Sequence, residues 1–210
     1  MSPDIDVVRL TLGELDTNCW IVSDGATGPL VVVDPAGDYA RLAAELGSRE
    51  IAAIVLTHGH FDHLGAATAL RAASGAPLYV HEADADAITT PKGSGGAQFG
   101  IMHHTEAADR LLHSGDIVSA GTVELSVLHT PGHTPGCICL YGHGHLFAGD
   151  TVFAGSVGRT DFPGGDARVL RRSIIEKIAL LPGDTIVHPG HGPDTTIARE
   201  RRINPFFPRA

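Results

Sequence analysis

One short segment, residues 57–65 (THGHFDHLG), constrains this chain more than any other. It follows an apolar run, IAAIVL at residues 51–56, which predicts a buried strand. Four potential metal ligands fall within six positions: His58, His60, Asp62 and His63. Imidazole and carboxylate are ligands that zinc-like cations prefer, and Gly59 allows a tight turn in which neighbouring side chains converge. The segment therefore predicts a metal site at the end of a strand.

Three further donors follow predicted strands in the second half of the chain. His133 lies within TPGHTPG, Asp150 follows HLFAG, and His191 lies within PGHGP. Loops at strand ends are where α/β folds assemble their sites. A catalytic ion usually has three protein ligands and one open position, so seven donors exceed the needs of one ion. They divide into two sets if one carboxylate bridges two cations.

The pattern of apolar residues predicts strands and helices in both halves. Strands are expected at 4–12, 18–23, 30–35, 51–56, 77–81, 122–130, 137–150 and 184–190, and helices at 37–48, 65–74, 82–88 and 166–181. Strands lead and helices follow, which predicts two sheets packed face to face with helices outside. We expect a single domain over residues 1–210, made of two α/β halves. Residues 91–102, PKGSGGAQFGIM, are rich in glycine and predict a mobile loop rather than a linker.

Composition limits the classes of partner and compartment. The formal net charge of -9 argues against binding to nucleic-acid phosphates. The basic residues at 198–209, ARERRINPFFPR, predict a solvated face on a last helix rather than a nucleic-acid or membrane patch. MSPDIDVVRL lacks the features of a secretory signal, and no apolar stretch approaches the roughly 20 residues that span a bilayer.

The cysteine count also bears on the compartment. Three cysteines, Cys19, Cys137 and Cys139, do not form a disulfide framework, which favours the cytoplasm. The C-x-C pair at 137–139 lacks the usual zinc spacing and predicts two buried small residues. Neither feature specifies an oligomeric state.

Taken in order, THGHFDHLG, PGHTPG, GDT and PGHGP resemble the signature of the metallo-β-lactamase superfamily, H-x-H-x-D-H followed by a later His, Asp and His. Within that family, the chain is similar to short glyoxalase II-like hydrolases, which lack the C-terminal glutathione-binding domain of full-length glyoxalase II. GSVGRTDFPGGD and RERRINPF are also similar to that subgroup. The resemblance implies an α/β fold of the four-layer αββα sandwich type, with the site at one edge.

The resemblance also implies how the donors are shared between two divalent ions. One ion would lie on His58, His60 and His133, the second on Asp62, His63 and His191, and Asp150 would bridge them. Zinc is the expected ion, with iron and manganese as alternatives. In the superfamily an aspartate in the place of Asp34 supports a metal-ligating histidine. From the residues alone, Asp34 could equally cap a turn before Pro35.

The implied chemistry is hydrolysis. Two ions about 3.5–4 Å apart can hold a hydroxide that attacks a carbonyl carbon, and Asp62 can orient that hydroxide. Such a site carries a charge of about +1, which favours anionic substrates. The expected substrate is therefore a small thioester of the hydroxyacyl-thiol (S-lactoylglutathione-like) type, or an ester. Arg159, within GRTD, is the first candidate to bind a substrate carboxylate, and Lys92 is the second.

Two other functions compete with hydrolysis. A mononuclear iron persulfide dioxygenase of the same superfamily shares the GRTDF stretch and would use His58, His133 and Asp150. A non-catalytic metal-bearing scaffold is the third alternative. The remaining eight histidines are predicted to be structural or exposed, with a substrate-facing role considered only for the pair beside the Gly-rich loop: His81, His103, His104, His113, His129, His143, His145 and His188.

Overall fold

The structure, a computed structural model, describes residues 5–208. The start of the segment tested for a secretory signal (1–4) and the end of the basic tail (209–210) lie outside the described residues. Six strands form the first sheet, in the order β1-β2-β3-β4-β5-β6. Their bounds are β1 Asp6–Leu12, β2 Thr17–Ser23, β3 Leu30–Val33, β4 Ile51–Val55, β5 Leu78–His81 and β6 Arg110–Leu112. Strands β1 to β3 pair antiparallel, and β3 to β6 pair parallel.

The second sheet also has six strands, in the order β12-β11-β10-β9-β8-β7. Their bounds are β7 Ile117–Ala120, β8 Val123–His129, β9 Ile138–Gly142, β10 His145–Gly149, β11 Ile186–Pro189 and β12 Thr195–Thr196. Only β10 and β11 pair parallel. Because parallel strands end at the same sheet edge, the residues after β10 and β11 emerge side by side.

The described residues form five α-helices, of which the first four connect strands and the last follows β12: α1 Tyr39–Leu46, α2 Phe61–Leu64, α3 Ala67–Ser74, α4 Ala167–Glu176 and α5 Ile197–Ile203. Helix α1 buries Leu42 and Leu46 and ends at Gly47, whose φ of 60° is one that glycine adopts readily. Helix α4 begins after Asp166, whose carboxylate accepts hydrogen bonds from the backbone N–H groups of Arg168 and Val169.

Three apolar clusters separate four layers. In β3, Val31 and Val33 pack between the two sheets, whereas Leu30 and Val32 pack on the outer face under α1 and α3. This alternation explains why a strand buried on both faces is a continuous apolar run. The third cluster lies between the second sheet and helices α4 and α5. The predicted αββα sandwich, with two sheets inside and helices outside, is confirmed.

Several predicted elements differ in detail. Strands β6, β7 and β12 were not predicted, because none of them contains a run of apolar residues as continuous as that of β3. The helix predicted at 82–88 is wrong: 3-10 turns, which are frequent in connecting segments, occupy Glu82–Asp84 and Ala87–Thr89. The helix predicted at 166–181 ends at Glu176 and continues as a 3-10 turn, Ile178–Leu180.

Two other predictions concern the surface and the cysteines. In the C-terminal basic segment, the guanidinium of Arg201 is not simply solvated, because it donates to the carbonyls of Ala179 and Leu181. Cys137 and Cys139 are free and buried, as predicted. Within residues 5–208, no helix has the length and apolar character needed to cross a bilayer.

Candidate metal centre

The segment 57–65 turns sharply from strand β4 into helix α2. The backbone N–H and hydroxyl of Thr57 both donate to Asp34, at 2.7 Å each, which fixes the start of the turn. His60 is the N-cap of α2, so Asp62 and His63 lie in its first turn. The strand-to-helix turn thus brings side chains that are neighbours in sequence to one point.

Three groups of side chains have the spacing of metal ligands: His58, His60 and His133; Asp62, His63 and His191; and, shared between these two, His58, His63 and Asp150. His133 completes the first group. Its Nε2 lies 3.2 Å from His58 Nε2 and 2.9 Å from His60 Nδ1. These three side chains can each offer one ligand atom within 4.8 Å of the others. The long-range convergence of His133 with the first loop, which the sequence predicted, is therefore present in the structure.

Asp62, His63 and His191 form the second group, also within 4.8 Å of one another. Asp62 Oδ2 lies 3.2 Å from His191 Nε2 and 3.5 Å from His63 Nε2. The side chain of Asn18, in β2, holds the loop that carries His191 by donating to the carbonyls of Pro189 and Gly192.

Asp150 lies between the two groups. Its Oδ1 is 3.4 Å from His63 Nε2, and its Oδ2 is 3.5 Å from His133 Nε2 and 3.7 Å from His191 Nε2. One carboxylate therefore faces donors of both sets, which is the arrangement required of a bridging ligand.

The hydrogen bonds made by Nδ1 of His63 and His133 show that these imidazoles suit a cation. His63 Nδ1 donates to Asp34 Oδ2 at 2.9 Å, and His133 Nδ1 donates to the Arg159 carbonyl at 2.6 Å. With one proton on Nδ1, each ring in its neutral form turns the lone pair of Nε2 inward. His63 Nε2 and Asp150 Oδ1 are buried and have no hydrogen-bond partner among residues 5–208. A bound divalent ion would satisfy both atoms, so the residues present fit a metal.

The charges of the cluster also favour cation binding. Burial, with the neighbouring imidazole of His133, lowers the pKa of His60 to about 4, and burial together with nearby imidazoles holds the pKa of His58 well below its ordinary value. Burial alone would raise the pKa of Asp62, but His63 and His191 outweigh it and lower that pKa. His58, His60 and Asp62 therefore favour the deprotonated form that binds a metal.

His63 and His191 are exceptions, because neighbouring carboxylates outweigh burial and raise the pKa of each imidazole. The carboxylates of Asp62, Asp150 and Asp34 hold the pKa of His63 well above its ordinary value. In the ion-free protein this imidazole therefore carries a proton, which a bound cation displaces. Metal affinity at this position consequently depends on pH.

Asp34 takes up the supporting place rather than capping a local turn. It is 1% exposed, has a φ of 53°, and its Oδ2 accepts both the Thr57 hydroxyl and His63 Nδ1–H. Ligating histidines commonly donate their second N–H to a carboxylate in this way, which orients the ring.

A cavity of about 620 Å³ opens beside the donors. Its walls are mainly apolar and include four of the seven phenylalanines of the chain: Phe61, Phe99, Phe153 and Phe162. The 3-10 turn Gly96–Phe99, within the Gly-rich segment, supplies one of these rings. Sequence reasoning missed the phenylalanines, because Phe61 lies in helix α2 and the other three in separate segments that share no periodicity.

The predicted substrate-binding cations occupy different places. Arg159 lines the cavity, but its guanidinium donates twice to Asp161, at 2.7 Å each, and lies 3.8 Å from the ring centroid of Phe162. Lys92 lines a smaller neighbouring cavity of about 250 Å³, and His60 lines both cavities.

The eight other histidines are absent from the metal-capable groups found among residues 5–208. His81 stacks on His129 at 3.9 Å, and His145 bonds to His188 at 2.8 Å. His103 lies 3.6 Å from Glu14, and neither it nor His104 lines the cavity beside the donors.

Comparison with known proteins agrees with this geometry. Residues 12–191 match the model of the metallo-beta-lactamase superfamily, and the chain belongs to that family. A protein of Aquifex aeolicus (strain VF5), described as uncharacterized, is 38% identical over 94% of each chain. The hydroxyacylglutathione hydrolase GloC of Haemophilus influenzae is 33% identical over 97% of this chain and 98% of its own.

Solved structures of the same fold are similarly close. The BLEG-1 B3 metallo-beta-lactamase is 39% identical, with a TM-score of 0.90 over 96% of this chain and 99% of that one. TTHA1623 in a di-iron-bound form is 37% identical, with a TM-score of 0.85 over 95% and 100%. ETHE1 from Myxococcus xanthus is 30% identical, with a TM-score of 0.79 over 95% and 83%. BLEG-1, TTHA1623 and ETHE1 thus share this fold.

Proposed function

We propose that this protein is a dinuclear metal-dependent hydrolase that cleaves thioesters of the hydroxyacyl-thiol type. The observation that carries the proposal is the convergence of the His58–His63 loop with three donors from the second half of the chain, in two sets that share Asp150. The likeness to the hydroxyacylglutathione hydrolase GloC supports the substrate class.

The proposed ligands follow from the distances above. His58, His60 and His133 would hold one ion, the second would lie on Asp62, His63 and His191, and Asp150 would bridge. Zinc is the proposed ion, and the di-iron form of TTHA1623 keeps iron as an alternative. When bound, such ions lower the pKa of a coordinated water to about 7 and polarise a substrate carbonyl.

The chain's own residues then orient the reactants. The Thr17 hydroxyl donates to Asp62 Oδ2 at 3.1 Å, which holds this carboxylate in place. Because its lowered pKa keeps Asp62 ionised, it can accept a hydrogen bond from the attacking water and direct it. The apolar cavity walls receive the carbon portions of the substrate and exclude bulk water. Arg159 is proposed to meet a carboxylate at the far end of the substrate.

A screen with measured metal content tests this function. The purified protein is analysed for metals, then assayed with S-lactoylglutathione, other thioesters, carboxylic esters and phosphate esters. We expect about two ions per chain, hydrolysis of thioesters, loss of activity on chelation, and recovery when the ion is restored. Asp62→Asn should abolish turnover, whereas Asp109→Asn, at a carboxylate outside the cavity, should not. A fully loaded protein that cleaves none of the thioesters contradicts the proposal.

A persulfide dioxygenase is the second candidate, because ETHE1 shares the fold at 30% identity. In that case one iron would lie on His58, His133 and Asp150, and the second donor set would not bind metal. The complete second set, with Asp62 and His191 3.2 Å apart, favours two ions. One iron per chain with oxygen uptake on a persulfide substrate would decide for the dioxygenase.

A further inference from the structure

A buried carboxylate outside the donor set connects the two loops that carry the first donor group. Asp84 is 2% exposed. Its Oδ2 accepts the backbone N–H of Gly59 at 2.8 Å and the hydroxyl of Thr134 at 2.7 Å. Its Oδ1 accepts the backbone N–H of Gly136 at 2.7 Å. Among the described residues no salt bridge joins Asp84 to a cation, so its charge is stabilised by these three donors.

The three donors flank metal ligands. Gly59 lies between His58 and His60 on the loop after β4, in the first sheet. Thr134 directly follows His133 on the loop between β8 and β9, in the second sheet. Asp84 thus joins two loops that belong to opposite sheets and together provide one donor group.

The glycines of both loops fit around this carboxylate. A Cβ atom at Gly136 would lie 2.5 Å from Asp84 Cγ, a distance that real Cβ contacts do not show. A Cβ at Gly59 would lie 3.5 Å from Asp84 Cβ and 3.0 Å from Ala87 Cβ. The close approach of Asp84 therefore gives a physical reason for glycine at position 136, whereas at Gly59 the tight contact is the one with Ala87.

We propose that Asp84 is a positioning residue that sets the spacing between the His58–His60 loop and His133, and thereby the affinity of the ion position that these histidines share. The inference rests on the two-ion site proposed above. The other position, at Asp62, His63 and His191, is supported by Thr17, Asn18 and Asp34 and has no hydrogen bond to Asp84. The effect of Asp84 is therefore selective for one of the two ions.

The test compares the two zinc affinities of each variant by competition with a chromophoric chelator. Asp84→Asn keeps the shape but replaces one acceptor oxygen with an NH₂ group, which faces at least one of the three donors. We expect one affinity to fall by roughly 10–100-fold, as is typical for outer-shell partners, and the other to change less than about threefold. The cobalt(II) absorption spectrum of the weakened position should change in parallel.

Two further variants separate positioning from folding. Thr134→Val removes one of the three hydrogen bonds while keeping the volume, and should lower the same affinity by a smaller factor. Asp109→Asn, where the carboxylate accepts the Leu78 N–H at 2.8 Å away from the donors, should leave both affinities unchanged. Melting temperatures of the ion-free variants report on the fold. Equal loss at both positions, or no loss at either in Asp84→Asn and Thr134→Val, would overturn the proposal.

This test is independent of the reaction. A wild-type protein that binds two ions but cleaves no thioester refutes the proposed function, and the affinity comparison still supports or refutes the role of Asp84. A wild-type protein that cleaves thioesters, with both affinities unaffected by Asp84→Asn and Thr134→Val, refutes only the role of Asp84.

Discussion

The inner wall of the metal centre, formed by the buried residues Asp34 and His63 that do not line the cavity, differs in burial and hydrogen bonding from the outer wall, formed by the cavity residues Phe99, Arg159 and Phe162. His63 and Asp34 are 0% and 1% exposed and bond to each other at 2.9 Å. Phe99 is 55% exposed, and its ring contacts are with other rings. The inner wall therefore fixes the positions of the metal donors, and substitutions there should change ion affinity. The outer wall offers contact area, and substitutions there should act on substrate choice.

The largest expected effect is on the inner wall. Asp34→Asn removes an acceptor of the His63 N–H and of the Thr57 hydroxyl, so the ring loses its orientation. We expect ion affinity or kcat to fall by roughly 10–100-fold. The matched control is Asp38→Asn, at another aspartate with a left-handed backbone, whose carboxylate accepts the Gly13 N–H away from the donors. Metal titration and steady-state kinetics of both variants would show whether the loss is specific to the inner wall.

On the outer wall, Phe99→Ala and Phe162→Ala remove apolar contact area but no donor atom, and of the two rings Phe162 packs edge-to-face against a donor, His60. We expect KM for apolar thioesters to rise by roughly 3- to 10-fold with kcat nearly unchanged, because the lost contact is made equally in the ground and transition states. Leu180→Ala, at an exposed leucine that does not line the cavity, serves as control. A fall in kcat without a change in KM would mean that these rings help to organise the ions.

Arg159 should have a smaller effect because Asp161 already binds its guanidinium at the surface. With Arg159→Gln, KM for a thioester that carries a carboxylate should rise by about threefold, and KM for a neutral one should not change. Asp161→Asn frees the cation and should shift KM of the charged substrate in the opposite direction. Equal responses of both substrates to both variants would exclude a role for Arg159 in recognising charge.

The smallest effect is expected at the buried cysteines, which lie outside both walls. Burial raises the pKa of the Cys139 thiol to about 11 and holds the pKa of Cys137 well above its ordinary value. A raised thiol pKa leaves almost no thiolate at pH 8, and the thiolate is the reactive form. A thiol reagent should therefore neither label the native protein nor change its activity. Rapid labelling with loss of turnover would show that the second sheet opens readily near the site.

The two walls also differ in how far sequence could predict them. The inner donors were predictable because each follows an apolar run at a strand end and the first four are neighbours in sequence. Asp84 was not predictable from the sequence, since one of several acids in HEADADAI looks like a surface residue until both loops are placed around it. The phenylalanines of the outer wall come from loops whose positions depend on tertiary packing. The pattern of apolar residues predicted the two packed sheets, whereas β6, β7 and β12 showed no such pattern.

The donors come from both sheets, since the His58–His63 loop follows β4 and the donors His133, Asp150 and His191 follow β8, β10 and β11. Bound ions would then hold loops of the two sheets together, so that folding and ion binding are thermodynamically linked. At a free ion concentration 100 times Kd, one such site adds about 2.7 kcal/mol to the free energy of unfolding. The melting temperature of this protein should therefore rise with the concentration of free ion. At low ion concentration, local unfolding should begin at the sheet edge that carries the donors.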